Sequence, residues 1–378
     1  MKKTICIVEL YDHHEVVNVL CKLYQHLGYE VQIFAEKNLL ANLDCPNTLQ
    51  VVKKETENQQ TFIRQNLLLF NKSDLIIFTT LVKYPNFFAN LSLSPPTILL
   101  IHDGNYFLRP IKAMQIGSVK DFFRWIKFQL FQEAKNRRKL LKKVSFISFA
   151  GDFMATQFVK EIDANKIKTL PTLPLNYFKR NSSPNEIIRI IIPGSVNKSR
   201  DYRMVFAAFQ QISKKISKPV EIILLGSSDS YFGQRITKQF LKLSNKNIKI
   251  IYNKDSFPQK SYDQILSTAS LAIIPIRKEF KRGLIAEKYG KTKITGSIND
   301  VITYGIPTLL ASHYPYPTDL SQLFFHFKGQ QQLAELILSH LKNKDRDYPA
   351  FAPLQNYTIQ QRSKSLESIT KKALSVSS

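Results

Sequence analysis

The sequence predicts an α/β protein made of two open parallel sheets, each covered by helices. Three observations carry this expectation. Short apolar runs rich in Ile, Val and Leu alternate with helical stretches along the chain, the pattern of strands buried on both faces. The alternation breaks at a polar, Pro-bearing stretch, Lys179–Asn185, and then restarts. A chain of 378 residues is also longer than one ordinary core requires, so two domains are expected.

In the first half, Thr4–Leu10 reads as a buried strand, and Glu15–Leu27 follows with helical spacing of its apolar residues. Further strands are expected at Glu30–Phe34, Thr48–Lys53, Asp74–Thr79, Thr97–His102 and Val144–Ala150. A long helix is expected over residues 118–143. The second half repeats the scheme, with strands at Ile187–Ile192, Val220–Leu225, Asn247–Tyr252, Leu271–Pro275 and Thr308–Ser312. Helices are expected near Asp201–Lys214, Tyr262–Ser270, Gln330–Leu341 and Thr358–Val376. The domains drawn from this are 1–180, 181–345 and a tail, 346–378, that carries the last helix.

Composition narrows the class. Hydrophobic residues make up 44% and charged residues 22%, a globular balance. No apolar run reaches the roughly 18 residues of a membrane-spanning helix. The basic start Met1-Lys2-Lys3 leads into a short apolar run with Glu9 and Asp12 close behind, so it reads as a strand and not a leader. Cys6, Cys21 and Cys45 are unevenly spaced, which gives neither a disulfide framework nor a metal pattern. Reduced thiols in a cytoplasmic protein are expected, with no metal and no bound cofactor.

A net charge of +25 points to nucleic acid, an anionic membrane surface or anionic substrates. Its placement helps to choose. Residues 118–143 carry nine Lys or Arg against Asp121 and Glu133, interleaved with Phe122, Phe123, Trp125, Ile126, Phe128, Leu130 and Phe131. A basic helix with an aromatic face is the pattern of an interfacial membrane helix; a core helix with a solvated basic face has the same sequence signature. No zinc-finger or RRM signature accompanies the charge, so nucleic acid is not the expected partner.

One segment of the second half is unlike the rest: Glu287-Lys-Tyr-Gly-Lys-Thr-Lys-Ile-Thr-Gly-Ser-Ile-Asn-Asp-Val-Ile-Thr-Tyr-Gly-Ile-Pro-Thr-Leu-Leu-Ala311. It reads as a polar loop, a short helix opened by Gly296 and Ser297, a Gly305-Ile306-Pro307 turn and a strand. A helix N-terminus flanked by Lys291 and Lys293 suits an anionic phosphate. Together with Pro193-Gly194-Ser195 after the first strand and Tyr262-Asp-Gln-Ile-Leu-Ser-Thr-Ala-Ser-Leu-Ala-Ile-Ile-Pro275, this order resembles GT-B glycosyltransferases of the family 1 and family 4 type. The resemblance covers about Glu186–Ser312 and is weak before it.

The resemblance implies two Rossmann-like domains facing a central cleft, a final helix, Thr358–Val376, crossing back onto the first domain, a nucleotide-sugar donor held by the second domain, and no metal requirement. On the matching positions it implies donor-binding roles for Gly194, Ser195, Lys198, Arg200, Lys293, Thr295, Gly296 and Ser297. Asp300 stands where related enzymes place the second Glu of a Glu-x(7)-Glu motif, which binds the ribose. Thr292 occupies the place of the first Glu, a departure that removes the basis for inferring a retaining mechanism. A histidine after a mid-domain strand lines the sugar site in similar enzymes, which points to His102. His13 is the other catalytic candidate, with Asp12 and Asp103 as rival bases, since an imidazole titrates near working pH. The expected protein is a glycosyltransferase acting on a glycan or lipid-linked acceptor at the inner face of the membrane, in polysaccharide or glycoconjugate biosynthesis. The alternatives are a basic nucleic-acid-binding protein and a GT-B-like scaffold without catalysis.

Overall fold

The computed structural model describes residues 2–11, 13–40, 42–173, 187–316, 318–342 and 357–375. The expected linker, 179–185, and the rival base Asp12 lie outside the described residues. The chain divides into two compact units. The first comprises Met1–Leu175, Lys281–Ile294 and Gln355–Ser378, and the second Asn176–Phe280 and Thr295–Leu354.

The first unit begins β1 (Thr4–Glu9), α1 (His14–His26), β2 (Glu30–Glu36), α2 (Lys37–Leu40), β3 (Leu49–Lys53), α3 (Gln59–Gln65), α4 (Leu67–Lys72) and β4 (Leu75–Thr80). It continues through α5 (Pro85–Asn90), β5 (Thr97–Ile101), α6 (Gly104–Leu108), α7 (Val119–Leu130), α8 (Glu133–Lys143), β6 (Phe146–Phe149) and α9 (Asp152–Phe158). Its six strands are parallel in the order β3-β2-β1-β4-β5-β6. The period of two along each strand divides the core between the faces of the sheet. Ile5, Ile7, Ile33 and Ile77 face one cluster with Val17, Leu20 and Tyr24 of α1. Cys6, Val8, Phe34 and Ile76 face another with Phe62, Phe70, Phe88 and Leu140. Each fully buried aliphatic side chain contributes about 1.5–3 kcal/mol of transfer free energy.

The second unit carries β7 (Ile188–Ile192), α10 (Tyr202–Ile212), β8 (Val220–Leu224), α11 (Tyr231–Leu241), β9 (Ile248–Tyr252), α12 (Gln259–Ser267) and β10 (Leu271–Ile274). The chain continues through a two-stranded hairpin, β11 (Glu279–Arg282) and β12 (Ile285–Lys288), returns to the second unit for α13 (Ser297–Tyr304), β13 (Thr308–Ala311), β14 (Phe324–Phe327) and α14 (Gln330–Lys342), and ends with α15 (Ile359–Ser375) in the first unit. The second sheet runs β14-β13-β10-β7-β8-β9. Both sheets thus have the doubly wound order, with a topological switch point between β1 and β4 in one and between β7 and β10 in the other. Ligands bind beyond the carboxyl ends of the strands at such points.

Three features differ from the sequence expectation. The segment Lys281–Ile294, placed in the second domain by its order in the chain, belongs to the first unit. There β12 follows the backbone of the loop before α7, through Ala286 N–H to Ala113 O (2.9 Å) and Gln115 N–H to Leu284 O (2.8 Å). The single helix expected over 118–143 is two helices. The chain turns at Phe131–Gln132, where Gln132 takes a left-handed φ of 47° and Asn136 Nδ2 donates to Phe131 O. β11, β12 and β14 were not expected, because strands of four residues with mixed burial lack a readable period. The closing helix α15 packs on α1, with Leu366 and Ala373 fully buried and Tyr24 Oη and Thr370 Oγ1 3.1 Å apart.

Candidate functional site

Each switch point carries its own constellation. In the second unit the turn after β7 is Pro193-Gly194-Ser195. Gly194 has φ +85°, and a Cβ there would lie 2.0 Å from Arg200 Nη2 and 2.9 Å from Ser297 Oγ. Only glycine accommodates both the backbone and the neighbours. Arg200 is buried, at 7% exposure, and donates Nη1 to Ser195 O (3.1 Å) and Nη2 to Ser297 Oγ (2.9 Å). Its Nε is buried without a hydrogen-bond partner. Among the described residues no carboxylate forms an ion pair with Arg200. A buried cation held only by neutral oxygens retains strong attraction for an anion.

Ser297 opens α13 with its hydroxyl fully used, donating to Pro193 O (3.0 Å) while accepting from Arg200. It is therefore the bridge that fixes Arg200, and its offer to a phosphate is its backbone N–H rather than its hydroxyl. Thr295 is buried and its N–H donates to Tyr314 Oη (3.1 Å). Gly296 is exposed at the N-cap. Asp300, in the first turn of α13, accepts from Tyr262 Oη (2.8 Å). The two groups share a site in which burial, then the Asp300 carboxylate, pushes the Tyr262 phenol well above its usual pKa. Ser195 and Lys198 are exposed on the same turn. The structure thus brings together Gly194, Ser195, Arg200, Ser297 and the start of α13. Neither Tyr262, although it opens a segment quoted for the resemblance, nor Tyr314 was singled out by the sequence reading.

Lys293 falls elsewhere. Its ammonium pairs with Asp103 in the first unit, and Arg282 Nη1 donates to the other oxygen of the same carboxylate at 2.5 Å. Burial raises the Asp103 pKa, but Lys293 and Arg282 outweigh it and the carboxyl ends below its usual range. Asp103 is thus a paired anion rather than a base, and Lys293 has its charge already met. Beside them Glu287 is fully buried and accepts from the N–H groups of Asn105 (3.2 Å) and Tyr106 (2.7 Å) and from Thr292 Oγ1 (2.5 Å). Burial, with the Asp103 charge adding to it, lifts Glu287 to about 7. Thr292 is here the hydroxyl donor to Glu287.

The other constellation sits at the carboxyl ends of β1, β4 and β5. His13 and His102 stack, with ring centroids 4.0 Å apart and 3° between planes. His102 Nε2 lies 2.9 Å from Thr79 O, which can only accept, so this nitrogen carries the proton. Its Nδ1 is buried without a partner. Burial first, and the neighbouring His13 second, lower the His102 pKa to about 3. Burial thus disfavours the protonated ring, which argues against His102 as a general base. His13 Nδ1 lies 3.2 Å from Glu15 Oε1, with about a third of each side chain exposed. Burial raises Glu15, but the hydrogen bond and charge of His13 win and its carboxyl ends below the usual value. A carboxylate on Nδ1 leaves the lone pair of the neutral ring on Nε2. Glu9, missed by the sequence reading, is fully buried behind them and accepts from Thr79 Oγ1 and Thr80 Oγ1, both at 2.7 Å. Its one signal is a carboxylate closing an otherwise apolar strand run.

No protein-family model and no curated protein sequence matches the chain. Solved structures do. HepE from Anabaena, in complex with UDP and glucose, superposes with a TM-score of 0.62 at 12% identity, covering 98% of this chain and 100% of that one. AviGT4, a glycosyltransferase of avilamycin A biosynthesis, gives 0.56 at 9% identity over 99% and 98%. A UDP-N-acetylglucosamine 2-epimerase gives 0.53 at 10% identity over 98% and 97%. At such identities the likeness concerns the fold, and the fold of this chain is GT-B: two Rossmann-like α/β units.

Proposed function

We propose that the protein is a glycosyltransferase that moves a sugar from a nucleotide-sugar donor to a hydroxyl of a glycan or lipid-linked acceptor. The observation that carries this reading is Arg200: a buried cation without a carboxylate partner among the described residues, fixed by Ser297 at the N-terminus of α13 beside the open Gly194 turn. A diphosphate is the anion that such a site suits, through its charge and the backbone N–H groups at the helix start. The fold agrees with this reading, since HepE holds UDP and glucose on the same architecture.

In this mechanism the second unit binds the donor. The bond between the sugar's anomeric carbon and the diphosphate oxygen breaks, and the electron pair leaves with the nucleoside diphosphate. Arg200 and the helix N-terminus stabilise that growing charge, so no resident metal is required. Asp300 receives the ribose hydroxyls alongside Tyr262, and Lys198 adds a mobile cation. We assign the base to His13, whose imidazole takes the proton of the acceptor hydroxyl as that oxygen bonds to the anomeric carbon. Glu15 holds the Nδ1 proton and stabilises the resulting imidazolium. His102 packs behind the His13 ring. The finer reading is a cytoplasmic enzyme at the inner membrane face, in polysaccharide or glycoconjugate synthesis; the exposed basic and apolar surface of α7 supports it.

The test is nucleotide release from UDP-, GDP-, ADP-, CMP- and dTDP-sugars, with uridine donors first. Release from one donor that disappears in Arg200→Ala and Asp300→Ala supports the reading. Release unaffected by EDTA supports the absence of a metal requirement. Conversion of a donor to its epimer without transfer would replace it with an epimerase, and no nucleotide binding in any case would remove the donor site altogether.

A further inference from the structure

The two faces of α7 have different neighbours. Its inner face is fixed: Phe128 is buried with Leu284 and Ile285, Trp125 packs against the same cluster, and Asp121 accepts from Lys281 Nζ at 2.6 Å. Its outer face is apolar and open. Val119 is 74% exposed, Phe123 60% and Leu130 73%, and with the partly buried Ile126 they recur at helical spacing in one stripe. Phe122 and Phe131 extend the stripe, at 48% and 67% exposure. Lys120, Arg124 and Lys127 are all exposed and form a second row along one flank.

Isolated exposed apolar residues are ordinary, but a contiguous stripe of large ones marks an interaction surface. The surrounding charge says what covers it. Of the two acids in 118–143, Asp121 is paired with Lys281 and Glu133 with Arg137 Nη2 at 2.5 Å. The outward charge of α7 and α8 is therefore cationic, with Lys135, Arg138, Lys139, Lys142 and Lys143 also exposed. A helix that offers bulky apolar groups flanked by cations fits the boundary between anionic headgroups and acyl chains. Phe131 also lines a cavity of about 920 Å³ in the first unit, together with Arg64, Lys83, Tyr84, Tyr106 and Asn136. The stripe therefore runs to the mouth of a space large enough for the polar part of an amphiphile.

We propose that the outer face of α7 docks the protein on an anionic lipid bilayer, with Val119, Phe122, Phe123 and Leu130 inserted at the headgroup boundary. The cavity beside Phe131 then receives its acceptor from that bilayer. The docking stands without the transferase reading; the acceptor role of the cavity rests on it.

The test is cosedimentation of the full-length protein with vesicles of phosphatidylcholine alone or mixed with phosphatidylglycerol. The wild type is expected to bind the mixed vesicles at least tenfold more tightly. F123S/L130S and K120Q/R124Q/K127Q are each expected to lose at least tenfold of that affinity, with an unchanged circular dichroism spectrum. Nucleotide binding, measured on the same samples, is expected to be unaltered, so loss of donor binding speaks against the transferase reading and not against docking. Equal binding to both vesicle types, or full binding by F123S/L130S, overturns the proposal. So does binding of random-sequence RNA that abolishes vesicle binding while remaining insensitive to F123S/L130S, because the surface would then be an electrostatic site for nucleic acid.

Discussion

His13 and His102 are two imidazoles in van der Waals contact with opposite prospects, and their surroundings decide it. His102 gives one nitrogen to a backbone carbonyl and buries the other, whereas His13 is about one-third exposed and holds a carboxylate at its Nδ1. His13→Asn is therefore expected to lower turnover by about 10²–10⁴-fold while nucleotide affinity stays within a factor of about two. Equal losses in binding and turnover would place His13 in donor binding instead. The His102 shift has a consequence for stability. Its folded pKa of about 3 lies below the roughly 6.5 of an unfolded chain. Between those values the unfolded state binds a proton that the folded state does not, so stability is complete above about pH 6.5 and declines as pH falls toward 3. The slope reaches at most about 1.4 kcal/mol per pH unit. Urea midpoints of wild type and His102→Asn at pH 7 and pH 5 check this: the variant is expected to lose less on acidification. At this scale the sequence placed both histidines at strand ends, but it could not say which would be buried, because that depends on Thr79 and Glu9 from other strands.

Among elements, the turn after β7 was the most legible. Its glycine, its cation and the helix start of α13 were all readable as types, because the chain pattern reveals where strands end and helices begin. What the pattern hid was the coupling of Gly194, Arg200 and Ser297 into one packed unit. Gly194→Ala is expected to displace Arg200 and weaken nucleotide binding at least tenfold, since its methyl would meet Nη2 and adopt a left-handed φ. Isothermal titration of the variant with the nucleotide would show this, and unchanged affinity would mean that Arg200 is not part of the phosphate site. In α7 the sequence offered a choice between membrane helix and core helix; the structure buries one face against Leu284 and Ile285 and leaves an apolar face exposed. Periodicity alone could not divide them, because Phe128 and Phe123 are the same residue type and differ only in whether the β12 hairpin reaches them.

For the whole molecule, two parallel sheets covered by helices follow from the alternation of strand and helix, and this was readable; the strand order was not. The interrupted course of the chain was not. The segment Lys281–Ile294 leaves the order of the sequence to complete the first unit, and no local signal marks that return. The closing helix makes a direct prediction. Leu366 is fully buried against the α1 side of the first sheet, in a cluster with Val17, Leu20 and Tyr24. Leu366→Ala removes that contact from a site nearly 350 residues from its partners in sequence, so the cost falls on tertiary structure and not on local helix formation. A loss of about 2–5 kcal/mol is expected for a buried leucine of this kind. The only tryptophan, Trp125, lies in the first unit, so its fluorescence follows the unfolding of that unit. The expected result is a lower urea midpoint by this probe, and an unchanged one would mean that α15 contributes little to holding the first unit together.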